Sequence, residues 1–401
     1  TEMQSAMDAC ALAAAAELRP GVTPPDSLAV SRAVSAGMTA GNRNFVDFQA
    51  HAAGITAGDV YFSDRLSSGT SFPFGYLSSG GADPATAKYA MCARSQGGIA
   101  TWFMQVLRGF LGEPNTPSTV GALATATLAP SQTNCAIPLG MCAASGGAAP
   151  NFGMTRGNWY STKFQPGNPA GSNPTGNFNW VDFNPGSPTP GCSGGGAQEL
   201  ACIMQGTGQC NLPPVGPPTC PGGNNPPPGC VGQTGADNSL KAAYGSRFGV
   251  YQGGSGVSTT DLTVTPPDYT GFEYTDATWP LPTGGGPRSN AYGHFQNARK
   301  AHSAFQSNLP GFSAASSNQL AAYGADRRVV TVPVVDCPGY TSGQNVPILG
   351  YACVLLLNPF KSPNDDVRVE YLGSASEPGS PCSTSGLGGG SIGPLVPVLV
   401  H

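Results

Sequence analysis

EMQSAMDACALAAAAEL, residues 2–18, is the stretch on which the reading of the fold turns. Alanine is the strongest helix former, and Arg19-Pro20-Gly21 halts the run. The stretch therefore predicts a long N-terminal helix. Met3, Met7 and Cys10 fall along one stripe of it, and the rest of its surface is small and nearly uncharged. Two readings follow. It is a core helix, or it is a packing helix that lies against other subunits or the far end of a helix that once continued into a membrane. On the second reading Met3, Ala6, Met7, Cys10, Ala13 and Ala14 are the candidate assembly residues.

Outward from this helix (region 1–22), residues 23–134 mix periodicities. Residues 45–50, Asp59-Val60-Tyr61-Phe62, residues 89–93 and residues 119–128 read as strands, and 99–111 (IATWFMQVLRGFL) has apolar residues at helical spacing. Strands around a helix suggest a small α+β unit. Residues 135–236 change character. Between Pro185 and Gly235 there are 11 prolines and 13 glycines, with Glu199 the only charge. So few apolar side chains cannot order a segment by burial. Five cysteines in it suggest a disulfide-stapled surface excursion. Residues 237–401 predict short helices at 240–251, 298–305 and 318–323, then strands at 328–335, 346–357 and 367–372. The tail 392–400 is apolar and extended, and its prolines confine it to an edge or a docking site. The fold class is α+β: a long N-terminal helix, a small mixed unit, a Cys/Gly/Pro-rich insertion and a β-rich C-terminal part.

Composition narrows the function. Eighteen basic against 22 acidic residues give a net charge of −4, and charged residues are only 10% of the chain, against a usual value of about 25%. So thin a spread of Lys and Arg argues against nucleic acid as a partner. No apolar run reaches the roughly 18 residues of a membrane span. The chain begins at Thr1, which suggests a processed form or a fragment. The twelve cysteines include no C-x-x-C, which argues against a zinc ribbon, a thioredoxin-type pair and an iron–sulfur cluster. Disulfides are the simpler reading, and they imply an oxidising location: the periplasm, the cell surface or outside the cell. Cys135, Cys142, Cys192, Cys202, Cys210, Cys220, Cys230, Cys337, Cys353 and Cys382 are the candidate bridge partners. Nearness in sequence favours Cys135–Cys142 and Cys202–Cys210.

No catalytic constellation stands out. Two G-x-S-x-G matches centre on Ser193 and Ser391, but a nucleophile elbow needs a strand before the serine and a helix after it. The first match lies in the Pro/Gly excursion and the second runs into Pro394. Asp365-Asp366 reads as a solvated turn rather than a calcium site. The tryptophans are scattered without a sugar-stacking stripe. Neither a cofactor nor a metal is expected.

Met3-Gln4-Ser5-Ala6-Met7-Asp8-Ala9-Cys10-Ala11-Leu12-Ala13 resembles the L-Q-x-A-x-D-A-A-A-L-A segment of TadE/TadG-like proteins of the Flp (Tad) pilus-assembly system. Residues 102–112 with 119–127, Cys135 to Cys142, Gly176 to Trp180, Arg247-Phe-Gly-Val-Tyr251, and 328–335 with 346–356 resemble other landmarks of that family more loosely. The resemblance implies a pilin-like α+β unit behind an N-terminal membrane anchor, which would be expected before Thr1. It also implies a non-enzymatic bacterial structural protein at the cell surface or outside the cell. Such a protein would be pilus-associated or would polymerise with itself, packing through helix 2–18 against its own copies or other envelope components. A surface-displayed ligand-binding adhesin, using 185–235, is the alternative. A secreted hydrolase using Ser193 or Ser391 is the third reading.

Overall fold

The structure is a computed structural model. It describes residues 2–22, 24–46, 51–66, 71–99, 118–144, 147–164, 177–178, 180–184, 192, 196–206, 208–223, 225–233, 240–252, 262–279, 288–337, 345–360 and 365–400. The fold is mixed α+β, with six helices and many short strands among the described residues. The four sequence regions distribute over two compact units: Thr1–Pro130 with Leu387–Gly389 and Leu395–His401, and Ser131–Gly386 with Gly390–Pro394.

In the first unit, α1 (Glu2–Ala16) and α2 (Ala29–Gly41) form a helical hairpin on an antiparallel sheet. Strands β1 (Val60–Ser63), β2 (Leu77–Ser78), β3 (Tyr89–Ile99) and β4 (Ser118–Thr133) make up most of that sheet. Strand β3 pairs with β1 (Val60↔Cys92) and with β4 (Cys92↔Ala124). The tail, expected at an edge, forms the strand Leu395–Leu399, which lies antiparallel to β4 (Leu399↔Ala126). The period-2 alternation sends Val60, Phe62, Ala90, Cys92, Ala124 and Ala126 to the helices. Tyr61, Met91, Ala93 and Leu123 turn to the opposite face, against Phe74 and Tyr76. The hairpin is close-packed because its contact residues are small. A Cβ on Gly37 would come within 3.1 Å of the Cys10 carbonyl oxygen, and one on Gly41 within 3.0 Å of Cys10 Cβ. The predicted helix at 99–111 lies, apart from Ile99, outside the described residues.

The second unit is organised by β5 (Met141–Cys142), β6 (Trp159–Ser161), β7 (Val181–Asp182), β8 (Cys230–Gln233), β11 (Val329–Val335), β12 (Val346–Leu356) and β13 (Arg368–Ser374) in one seven-stranded sheet. A separate hairpin pairs β9 (Val250–Gln252) with β10 (Phe312–Ala314). Strand β12 is the spine. It pairs with β8 at one end, β11 along most of its length and β13 at the other end. Strands covered on both faces read as continuous apolar runs, which is why 328–335, 346–357 and 367–372 were legible. Helix α3 (Ala197–Gln205) packs against α4 (Lys241–Ser246), while α5 (Tyr292–Lys300) and α6 (Ser317–Tyr323) complete the helices. The predicted helix at 298–305 begins and ends earlier, as α5.

Two expectations about the Gly/Pro stretch are corrected. It is not only a surface excursion, because Leu200, Ala201 and Met204 of α3 join Trp180, Tyr244, Phe248 and Val332 in the main core. The short run of helix formers 197–205 supplies the apolar surface that the stretch as a whole lacks. The two disulfides expected from nearness in sequence are also not formed. Instead of Cys135–Cys142 and Cys202–Cys210, the pairs are Cys135–Cys210, Cys142–Cys337 and Cys192–Cys202, with Cys10–Cys92, Cys220–Cys230 and Cys353–Cys382. Residues 136–142 run beside β11 (Ala136↔Thr331, Met141↔Val334), which draws Cys135 and Cys142 apart. Bridging requires Cα atoms within about 7 Å. The Ala136↔Gln209 bridge sets Cys135 beside Cys210, and the parallel pair Val335↔Cys142 sets Cys142 beside Cys337. All ten candidate cysteines are bridged, as is Cys10 of the helix stripe.

Proteolysis without reduction, followed by mass spectrometry, is expected to recover Cys135–Cys210 and Cys142–Cys337 and no Cys135–Cys142 peptide. Gly41→Val is expected to cost about 1–3 kcal/mol through overpacking of the helical hairpin, measured by denaturant unfolding of the oxidised protein.

Candidate functional site

The candidate assembly residues of α1 are occupied within their own chain. Met3, Ala6, Met7, Cys10 and Ala14 are buried against α2 and the sheet, and Cys10 is bonded to Cys92 of β3. Only Ala13 of the six is partly exposed. The expected intersubunit face is therefore corrected to a core face. A stripe of small residues suits either role, and here α2 answers it with Gly37 and Gly41. The side of α1 open to solvent begins with Gln4 and Ser5.

The strongest electrostatic cluster is buried in the second unit and is made of arginines. Arg247 donates from Nε to the Met204 carbonyl (2.9 Å), from Nη1 to Arg327 O (2.7 Å) and from Nη2 to Gly206 O (3.4 Å). Arg327 donates to the Gln205 carbonyl (2.5 Å) and, more closely still, to that of Gly206. Two guanidinium forks thus close the C-terminal end of α3, where carbonyls lack intrahelical partners and the helix dipole is negative. Arg328 donates to the carbonyls of Leu356 (2.8 Å) and Phe272 (2.7 Å) and lies 4.2 Å from the Phe248 ring centroid. Asp268, 1% exposed, accepts from the backbone N–H groups of Arg327 (3.0 Å) and Arg328 (3.1 Å).

Burial holds the Arg247 guanidinium well below its usual pKa and lowers Arg327 to about 10. Burial also raises the Asp268 carboxyl, against the pull of Arg299 and Arg328. Perturbed groups in a cleft mark functional sites. These groups line none of the clefts described below, and their donors are directed at backbone carbonyls, so the cluster is architecture.

Among the described residues, three clefts that open to solvent bear on function. One, of about 460 Å³, is lined by Glu273, Asp276, Asp366 and Arg368. Its charges answer one another: Arg368 reaches Asp366 (2.5 Å) and Asp276 (2.6 Å), and Ser161 donates to Asp366 (2.6 Å). Asp366 is thus tied into the fold, unlike the solvated turn expected at 365–366. Among the described residues no group of three or more His, Cys, Asp or Glu is placed to hold a metal. A second cleft, of about 580 Å³, lies in the insertion, between Phe183 and Leu212 and the prolines 226–228. Ser391 is exposed in a bend that leads through Pro394 into the terminal strand, so the strand–turn–helix of a nucleophile elbow is not formed there. Ser193 lies outside the described residues.

The third cleft, of about 680 Å³, belongs to the first unit and was not anticipated. Its floor is the face of β3 and β4 away from the helices, where Ala93 opposes Leu123 and Ser95 opposes Gly121. Strand β1 begins at Val60, opposite Cys92, so it does not flank Ala93 to Ser95. Tyr61 and Phe72 form one wall, with ring centroids 5.4 Å apart and planes at 84°. Arg94 and Asp59 form another, paired at 2.8 Å, and Gln4, held to the Leu123 carbonyl, also lines the cleft. The available signal was the alternation in Asp59-Val60-Tyr61-Phe62, which places Tyr61 opposite Phe62 on the sheet. Phe72 joins it through a loop, and nothing local in the sequence reveals that meeting.

No family model, curated protein or solved structure matches this chain. No helix among the described residues is long and apolar enough to cross a membrane. The six disulfides fit a protein made for an oxidising compartment.

Replacing Arg247 by Met orphans the Arg327 carbonyl and leaves those of Met204 and Gly206 to Arg327 alone. The expected cost is about 2–5 kcal/mol, with hydrogen-exchange protection lost first in α3 (Ala197–Gln205).

Proposed function

We propose that the protein is an exported bacterial structural protein that works by packing against other protein surfaces. It is either a pilus-associated subunit or a subunit of its own filament, as the TadE/TadG-like resemblance of residues 3–13 implies. The observation that carries this reading is where the exposed apolar side chains lie. Of the fourteen large hydrophobic residues exposed among the described ones, eleven belong to the first, smaller unit. Three of them, Leu395, Leu399 and Val400, occupy the terminal strand and its end, and Leu395 is 59% exposed. Exposed apolar side chains gathered on one strand, as Leu395 and Leu399 are, suit an interaction site.

The terminal strand is an edge, and Pro397 removes one backbone donor from its middle. The contact it supports is therefore side-chain packing rather than addition of another strand. The face of α1 that faces α2 and the sheet has no part in it. Six disulfides suit such a subunit, since a crosslinked monomer keeps its shape outside the cell without cytosolic repair. A low density of charge lowers the cost of burying surface between neighbours.

Sedimentation velocity over a wide concentration range tests the reading. The wild type is expected to associate as concentration rises. Leu395→Lys with Leu399→Lys is expected to shift association to at least about tenfold higher concentration with an unchanged unfolding midpoint. A doubly substituted protein that associates like the wild type removes the terminal strand as the contact.

A further inference from the structure

We propose that the cleft of the first unit is a carbohydrate site that takes a neutral hexopyranose unit. This goes beyond the packing role and does not depend on it. The cleft holds one Arg and one Asp, so its formal charge is zero. A free anion placed there would meet the Asp59 carboxylate, and a free cation would meet the Arg94 guanidinium. A neutral ligand that both donates and accepts avoids either conflict.

The polar atoms are left in a suitable state. Asp59 receives Thr56 N–H (2.8 Å), Thr56 Oγ1–H (2.8 Å) and Arg94 Nη1–H (2.8 Å) all on Oδ2, which leaves Oδ1 to accept. Arg94 Nε is buried without a partner, and Nη1 holds the Asp59 carboxylate in place. Gln4 spends its amide N–H groups on Asp8 (2.8 Å) and the Leu123 carbonyl (2.9 Å), which leaves its carbonyl oxygen open. A carboxylate beside a guanidinium, with an amide oxygen elsewhere in the lining, suits the hydroxyls of a sugar, each of which is both donor and acceptor.

The apolar part of the site completes the match. Phe72 is 55% exposed, and Tyr61 stands edge-on to it, offering aromatic surface to the C–H face of a ring. The floor is small side chains, Ala93, Ser95 and Gly121, so a flat ring can approach the sheet. The volume of about 680 Å³ is that of a small-ligand site. An extended peptide is also neutral and amphipathic, but it is recognised chiefly by backbone groups of a sheet edge. Strand β3 offers such an edge at 93–95; the open side-chain acceptors and the aromatic wall favour the sugar, and the tetrapeptide in the test decides between the two. The site also differs from the adhesin reading of the sequence, which placed binding at 185–235.

The test is saturation-transfer NMR of the full oxidised chain with the methyl pyranosides of glucose, galactose, mannose and N-acetylglucosamine, together with a blocked extended tetrapeptide. At least one pyranoside is expected to bind at concentrations up to about 10 mM. Phe72→Ala is expected to weaken that binding about tenfold. Arg94→Lys, which keeps the charge beside Asp59 but loses the fork, is expected to weaken it similarly. Both variants should retain the wild-type unfolding midpoint. If a variant is destabilised, the other decides, because Phe72 lies at the surface. No pyranoside binding, binding unchanged in both folded variants, or binding of the tetrapeptide alone would each overturn the proposal.

Discussion

Everything in the second unit depends on fastening a chain segment that cannot bury enough of its own side chains. Ordering the backbone costs about 1–2 kcal/mol per residue, and a Gly/Pro-rich stretch has little apolar area with which to offset it. The fold concentrates what area there is in α3 and then holds that helix from both ends. Cys202, within it, is bridged to Cys192 ahead of it, and its final carbonyls are taken by the forks of Arg247 and Arg327. Arginine suits this place because its five donors are fixed in a plane and its charge survives burial. Asp268 then answers the cations through the backbone of Arg327 and Arg328, so a loop, a helix end and a buried strand are set together.

The first unit solves a similar problem with size rather than charge. Alanines on α1 and glycines on α2 allow the two helices to approach closely, and Cys10–Cys92 joins α1 to the central strand across 82 residues. Closing so long a loop is worth about 4.5 kcal/mol on chain-entropy grounds. The sheet face not covered by helices is left with a mixture of aromatic, small and paired charged residues. The terminal strand adds exposed leucines at the edge. The two features with the character of recognition surfaces therefore lie in the first unit, while the perturbed charges of the second unit are spent on holding it together.

Periodicity made much of this legible in advance. The alanine-rich helix, the alternating strand at Asp59-Val60-Tyr61-Phe62 and the three apolar runs after Arg328 are local patterns, and local patterns are what a sequence displays. What stayed hidden depends on partners distant in the chain. Cys142 lies opposite Val335 only because β5 runs parallel to β11. Cys10 was one member of an apolar stripe, and no local signal distinguished a packed thiol from half of a bridge. Ala6 and Ala14 suited a subunit interface as well as they suit Gly41 and Gly37, since small residues permit close approach whatever approaches. The meeting of Tyr61 with Phe72, and of Asp59 with Arg94, is likewise a product of the sheet.

The central claim is that the molecule works by regular contact with other protein surfaces, with the terminal strand in that contact. Negative-stain electron microscopy of the oxidised wild type, with a gold label at the chain's C-terminal end, tests it most directly. The account predicts regular oligomers or filaments with the label held at the subunit junctions. Monodisperse single particles at every concentration, or regular assemblies with the label far from every junction, would contradict it.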